Sequence, residues 1–190
     1  MIDTSKLVAR LQEEHAHRVM LQFPAGLKRK AFPIAMELRQ AGFEVIVSGD
    51  PCYGACDLAK APPELFDILV HFGHAPLGRG EEGVIYEFYP CDFDVDVVRS
   101  AVPLLREKRI GLVTTVQHVH LLERMAAILA RQGIEAVIAG GGGRTPLAGQ
   151  VLGCSFEAAR KTAASEILFV GTGLFHPTGI QLATGARVIA

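Results

Sequence analysis

"AMELRQAGFEVIVSG", Ala35 to Gly49, returns in altered spelling as "AAILARQGIEAVIAG", Ala126 to Gly140. In both copies apolar residues at helical spacing lead to a glycine, which is followed by a short run rich in Val and Ile. That pattern reads as a helix, a turn and a strand. Gly42 sits where a helix ends in a left-handed residue, and Pro33 fits the first turn of the same helix.

Working outward, the echo continues on both sides. "RVMLQFPAGL" (18–27) is answered by "RIGLVTTVQH" (109–118), and "FDILVHFGH" (66–74) by "SEILFVGTG" (165–173). Strand-like runs alternate with helical patterns throughout, "FEVIVS" and "GVIYEFY" among the former and "DTSKLVARLQEEHAH" among the latter. Such alternation calls for parallel sheets covered by helices. The expected fold is therefore α/β: two homologous repeats, each a roughly four-stranded parallel sheet flanked by helices, spanning residues 1–100 and 101–190 and divided near Ser100. The second copy stops at "GARVIA" (185–190), where the first continues through "GVIYEFYPCDFD" (83–94), so it reads as truncated.

Each repeat places one cysteine on the loop after its second strand, Cys56 in "GDPCYGACDLA" (49–59) and Cys154 in "GQVLGCSFEAA" (149–159). In an open parallel sheet that loop lies beyond the carboxyl ends of the strands, where ligands bind. Cys52 and Cys91 have no such symmetry and read as packing residues, although the nearness of Cys52 to Cys56 leaves a ligand role open. Three uses of Cys56 and Cys154 remain. Zinc would take four ligands, but the paired C-x-x-C knuckles are absent. One thiolate per repeat can converge on an iron-sulfur cubane, which requires a third repeat or an open iron. A Cys-His nucleophile would draw on His71, His74, His118, His120 or His176, all at or just after expected strand ends.

Composition excludes other classes. With 49% hydrophobic and 21% charged residues and a formal net charge of −1, the chain has no electrostatic basis for gripping nucleic acid or an anionic membrane without sequence preference. The amphipathic start lacks the basic head and apolar run of a signal peptide, so a cytoplasmic location is expected, with cysteines kept reduced. "AGGGGRTPLAG" (139–149) could cradle an anion with backbone N–H groups and Arg144, or serve as a flexible connector; the phosphate-loop order is missing. "LKRK" (27–30) reads as a solvated helix start.

"LQFPAGLK" (21–28), "GDPCYGACDLA", "LVHFGHAPL" (69–77), "TTVQHVHLL" (114–122) and "GQVLGCSF" (149–156), in that order, resemble the archaeal diphthamide synthases, which carry out the first step of diphthamide biosynthesis. The resemblance covers nearly the whole chain and implies three α/β repeats, each giving one cysteine to a 4Fe-4S cluster. It implies cleavage of S-adenosylmethionine to a 3-amino-3-carboxypropyl radical, which is added to a histidine of translation elongation factor 2. A homodimer and an electron donor are implied as well. Carried over, Cys56 is the first cluster ligand and Cys154 the second; the third belongs to a repeat these residues do not contain. The segments "LQFPAG", "HFGHAP", "TTVQH" and "VGTG" are expected to line the S-adenosylmethionine pocket, and "IYEFYPCDF" (85–93) the dimer surface. Two rivals are a quinolinate synthase-like 4Fe-4S dehydratase and a non-catalytic scaffold subunit.

Overall fold

A computed structural model describes residues 4–190; the first residues of the expected opening helix lie outside the described residues. The chain divides into two compact units, Met1–Tyr89 and Pro90–Ala190. In the first, helix α1 (Thr4–Glu13) precedes strand β1 (Arg18–Gln22), and a 3₁₀ segment (Ala25–Lys30) runs directly into α2 (Ala31–Gln40). Strands β2 (Glu44–Val47), β3 (Ile68–Phe72) and β4 (Val84–Glu87) complete a sheet of order β2-β1-β3-β4, parallel at every pairing.

The second unit repeats the plan. A 3₁₀ segment (Val95–Leu104) takes the place before β5 (Arg109–Thr114), and a shorter one (Val116–Leu121) leads into α3 (Leu122–Ala130). After β6 (Glu135–Val137) come α4 (Glu157–Lys161), β7 (Glu166–Val170), α5 (Phe175–Thr184) and β8 (Arg187–Ile189). Its sheet has the order β6-β5-β7-β8, again all parallel. The two four-stranded parallel sheets expected from the repeated pattern are therefore present, with identical strand order. The first two strands of each sheet share their register, Arg18 lying opposite Glu44 and Arg109 opposite Glu135, while the third is offset by one, Ile68 facing Val19 and Ile167 facing Gly111.

The helix before each second strand ends in the same way. Phe43 N–H donates to Leu38 O and Gly42 N–H to Arg39 O; Ile134 and Gly133 donate to Leu129 and Ala130 in the same pattern. With φ of 98° at Gly42 and 75° at Gly133, both are left-handed Schellman caps, which orient the chain for the return strand. Buried Leu38 and Phe43, or Leu129 and Ile134, belong to the respective cores, so the cap and the core reinforce each other.

Each sheet is also latched at the start of its third strand. Asp67, just before β3, accepts from the N–H groups of His17 and Arg18 at 2.9 and 2.8 Å and pairs with the Arg18 guanidinium at 2.6 Å. Glu166, the equivalent residue of β7, accepts from Arg106 and Glu107 at 2.8 and 3.1 Å and pairs with Arg187. Bonds from Arg18 hold the Asp67 carboxyl well below the usual carboxylate range. Burial pushes the Glu166 carboxyl up, but the two backbone N–H groups and Arg187 outweigh it and the net shift is down.

Because both carboxyls are more acidic folded than unfolded, their stabilisation is complete above about pH 4 and disappears as pH falls through the folded values. Glu166→Gln should cost about 1–3 kcal/mol at pH 7, because the amide oxygen accepts more weakly and the Arg187 pair is lost. Denaturant titrations across pH should show the variant losing less stability than the parent below about pH 4. A variant as acid-sensitive as the parent would remove Glu166 from this role.

Candidate functional site

Parallel strands bring their carboxyl ends to one edge of the sheet, and in the first unit that edge carries a row of functional side chains. Gln22 on β1 lies opposite His71 on β3, which lies opposite Tyr86 on β4. Gln22 and His71 are fully buried, and the His71 and Tyr86 rings lie 5.3 Å apart.

The loop after β2 folds over this row. Gln22 Nε2 donates to Asp57 O at 2.7 Å, and the Ala59 N–H donates to Gln22 Oε1 at 3.1 Å. Lys28 Nζ donates to Gly49 O at 2.7 Å, and Asp57 closes the turn internally by accepting the Tyr53 N–H at 3.0 Å. Cys52 is driven inward by this arrangement and is 5% exposed, whereas Cys56 is exposed and has no hydrogen-bond partner among the described residues.

Beneath the loop, Cys52 Sγ lies 3.9 Å from His71 Nε2 and 3.9 Å from His74 Nδ1, and the two imidazole nitrogens are 2.9 Å apart. Burial, and then the neighbouring His74, push His71 down to about 4; burial lowers His74 as well. Burial also raises the Cys52 thiol. At neutral pH the pair is a set of uncharged imidazoles beside a protonated thiol.

In the second unit the thiol is shown by a different device. Val151 N–H donates to Thr114 O at 2.9 Å, and Leu152 and Ser155 exchange N–H···O bonds of 2.9 and 3.0 Å. Gly153 and Cys154 are the two residues at the tip of that tight turn, and Cys154 is exposed. A side chain at Gly153 would run into the Phe175 ring, 2.4 Å from where its Cβ would lie, so the turn tip can approach the start of α5 only as glycine.

The other expected residues fall elsewhere. His118 Nδ1 contacts Cys91 O at 2.9 Å, and His120 pairs with Asp92 at 2.9 Å. His176, on α5, stacks on Phe169 with ring centroids 5.7 Å apart. His71 and His74 face Cys52, and among the described residues no hydrogen bond joins any of the five histidines to Cys56 or Cys154. The glycine run is not open to an anion: Gly143 N–H donates to Glu157 Oε2 at 3.2 Å and Gly142 N–H to Thr145 O at 2.8 Å. It is a connector tied to α4. The Cys52, His71 and His74 cluster was missed as a unit because its members are separated in sequence; "HFGH" on the strand that follows a cysteine was the available signal.

Fold and site together define a repeat-built α/β protein that displays one exposed thiol per repeat on the loop after the second strand. The diphthamide synthesis protein family model matches residues 23–190, and the chain belongs to that family. It is 37% identical over 196 residues to the 2-(3-amino-3-carboxypropyl)histidine synthase of Pyrococcus horikoshii, covering 100% of this chain and 57% of that protein. Subunit 1 of the same synthase from Encephalitozoon cuniculi is 30% identical, covering 95% of this chain and 52% of that protein. In structure the chain matches the crystal structure of Pyrococcus horikoshii Dph2 with a 4Fe-4S cluster at a TM-score of 0.91 and 34% identity, over 99% of this chain and 57% of that one. The chain thus spans little more than half the length of these relatives. No helix among the described residues is long and apolar enough to cross a membrane.

The Gln22 amide satisfies two loop groups and one imidazole at once, and its replacement leaves them without partners. Gln22→Leu should cost about 1–3 kcal/mol in denaturant unfolding, with faster amide exchange at Ala59. Unchanged exchange at Ala59 would show that the loop is held by something else.

Proposed function

We propose that these residues are two repeats of a 2-(3-amino-3-carboxypropyl)histidine synthase, and that Cys56 and Cys154 are thiolate ligands of its 4Fe-4S cluster. The observation that carries the reading is the display of one exposed cysteine on the same loop of each repeat, in a chain 37% identical to a named synthase. The donor set fits the group: both sulfurs are soft donors, and both stand clear of their own unit's core. A third thiolate comes from protein outside these 190 residues, which leaves one iron free for substrate.

When bound, the cluster supplies the electron that cleaves S-adenosylmethionine at the bond from sulfur to the γ-carbon, releasing a 3-amino-3-carboxypropyl radical. The chain's own residues hold and orient. Gln22 and Lys28 fix the Cys56 loop, and the Leu152–Ser155 turn fixes Cys154. The candidates for substrate contact are the strand-end segments 21–26 and 71–76 of the first unit and 114–118 and 170–173 of the second. The acceptor is a histidine of translation elongation factor 2, and the enzyme works in the cytoplasm as a homodimer served by an electron donor. Residues 85–93 form part of the dimer surface; Phe88, 39% exposed, is an apolar contact available there. Family membership favours this reading over a dehydratase or a scaffold subunit.

Cys56→Ala and Cys154→Ala, each made in a polypeptide that includes a third repeat, should lose most of the iron per chain and S-adenosylmethionine cleavage after anaerobic purification. Cys91→Ala should retain both. Full iron in the Cys56 and Cys154 variants would overturn the ligand assignment.

A further inference from the structure

Gln22 determines which nitrogen of His71 is bare. Its Oε1 is identified as oxygen because it accepts the Ala59 N–H, while Nε2 donates to Asp57 O. His71 Nδ1, 2.8 Å from that oxygen, must therefore carry the proton and donate. The Nε2 lone pair is left pointing toward His74 and Cys52. An imidazole whose far N–H is anchored to a fixed acceptor is oriented as metal-binding histidines usually are.

The three atoms also fit an ion. The point equidistant from Cys52 Sγ, His71 Nε2 and His74 Nδ1 lies about 2.1 Å from each, at Zn–N distance and a small displacement from Zn–S distance. One protein element supplies each constraint: β3 positions His71, the turn after it positions His74, and the loop after β2 brings Cys52. Both imidazoles are neutral at pH 7, so no proton need be displaced from a charged ring.

The second unit shows that the fold does not require these residues. By the register of the repeated sequence, Gln150 stands where Cys52 does, four positions before the exposed cysteine, and Val170 and Gly173 stand where His71 and His74 do. The same strand order forms without the three ligands. With Val170 and Gly173 in place of the two imidazoles the second sheet edge still closes, so the paired histidines of the first unit answer to something other than folding.

We propose that Cys52, His71 and His74 bind a single zinc-class divalent cation, separate from the Cys56 and Cys154 thiols, with a fourth position open to water or a small ligand. Binding removes the thiol proton of Cys52 to solvent and leaves the His74 proton on Nε2, so one proton is released per ion. In the absence of the cation, the His74 Nδ1–H donates to His71 Nε2. The cation ties the loop after β2 to the sheet edge. It does not depend on the cluster assignment.

Cobalt(II) is the probe, because thiolate ligation gives it a near-ultraviolet charge-transfer band and tetrahedral coordination gives it strong visible bands. The chain stripped with chelator should bind one cobalt with both signatures, and zinc should bleach them. A triple variant, Cys56→Ser with Cys91→Ser and Cys154→Ser, leaves Cys52 as the only thiol and should keep both signatures at one ion per chain. Cys52→Ser should lose the charge-transfer band, and His71→Ala or His74→Ala should weaken binding at least tenfold. Absence of the band in the triple variant would overturn the proposal, as would its persistence in Cys52→Ser; a plain hydrogen-bonded cluster gives the first result. Iron loss on changing Cys56 or Cys154, with cobalt binding intact, separates this site from the cluster reading.

Discussion

Two parallel strands cannot be joined by a tight turn, and this constraint shapes everything functional in the chain. Each strand must return through a helix or a long loop before its neighbour begins. All carboxyl ends then fall on one edge of each sheet, and the connections that leave that edge are the ones free to carry chemistry. Cys56, Cys154 and the Gln22–His71–Tyr86 row all lie there. At the opposite edge the same geometry gathers strand starts, where Asp67 and Glu166 satisfy backbone N–H groups that would otherwise be left over. Stability is concentrated at one end of each sheet and reactivity at the other.

Much of this was legible in the sequence, because the deciding signals are local. Alternating helical and strand periods, the glycine that ends each helix, and the self-similarity of the two halves gave fold class, strand direction and the loop bearing each exposed cysteine. Strand length was overread at the edge: "FEVIVS" yields β2 of four residues. Edge strands have a partner on one side only, so hydrogen bonding fades where the neighbour ends.

What could not be read is what the tertiary structure joins. Asp67 lies 49 residues from Arg18, and Glu166 lies 60 from Arg106, so no periodicity announces either latch. His71 is 19 residues from Cys52, and only the register of β3 against β1 puts it beneath that thiol. The glycine run was ambiguous for another reason. Glycine N–H groups have no preferred partner, and the choice between an external anion and Glu157, fourteen residues away, depends on where α4 packs.

The two loops reach the same outcome by unlike means. In the second unit backbone bridges at Thr114–Gln150 and Leu152–Ser155 carry Cys154, and such bridges are indifferent to side-chain identity. In the first unit a buried glutamine side chain carries the loop, whereas the residue that faces Val170 as Gln22 faces His71 is Thr114, whose hydroxyl donates to Val170 O and not to the loop. Anchoring through a side chain leaves Cys52 pressed against the sheet edge, where two histidines meet its thiol. In the second unit Gln150 is buried at the matching position with its Nε2 unpartnered among the described residues, and Val170 and Gly173 stand in place of the two histidines. The repeats thus differ in how the loop is held, while the exposure of one thiol on it is common to both.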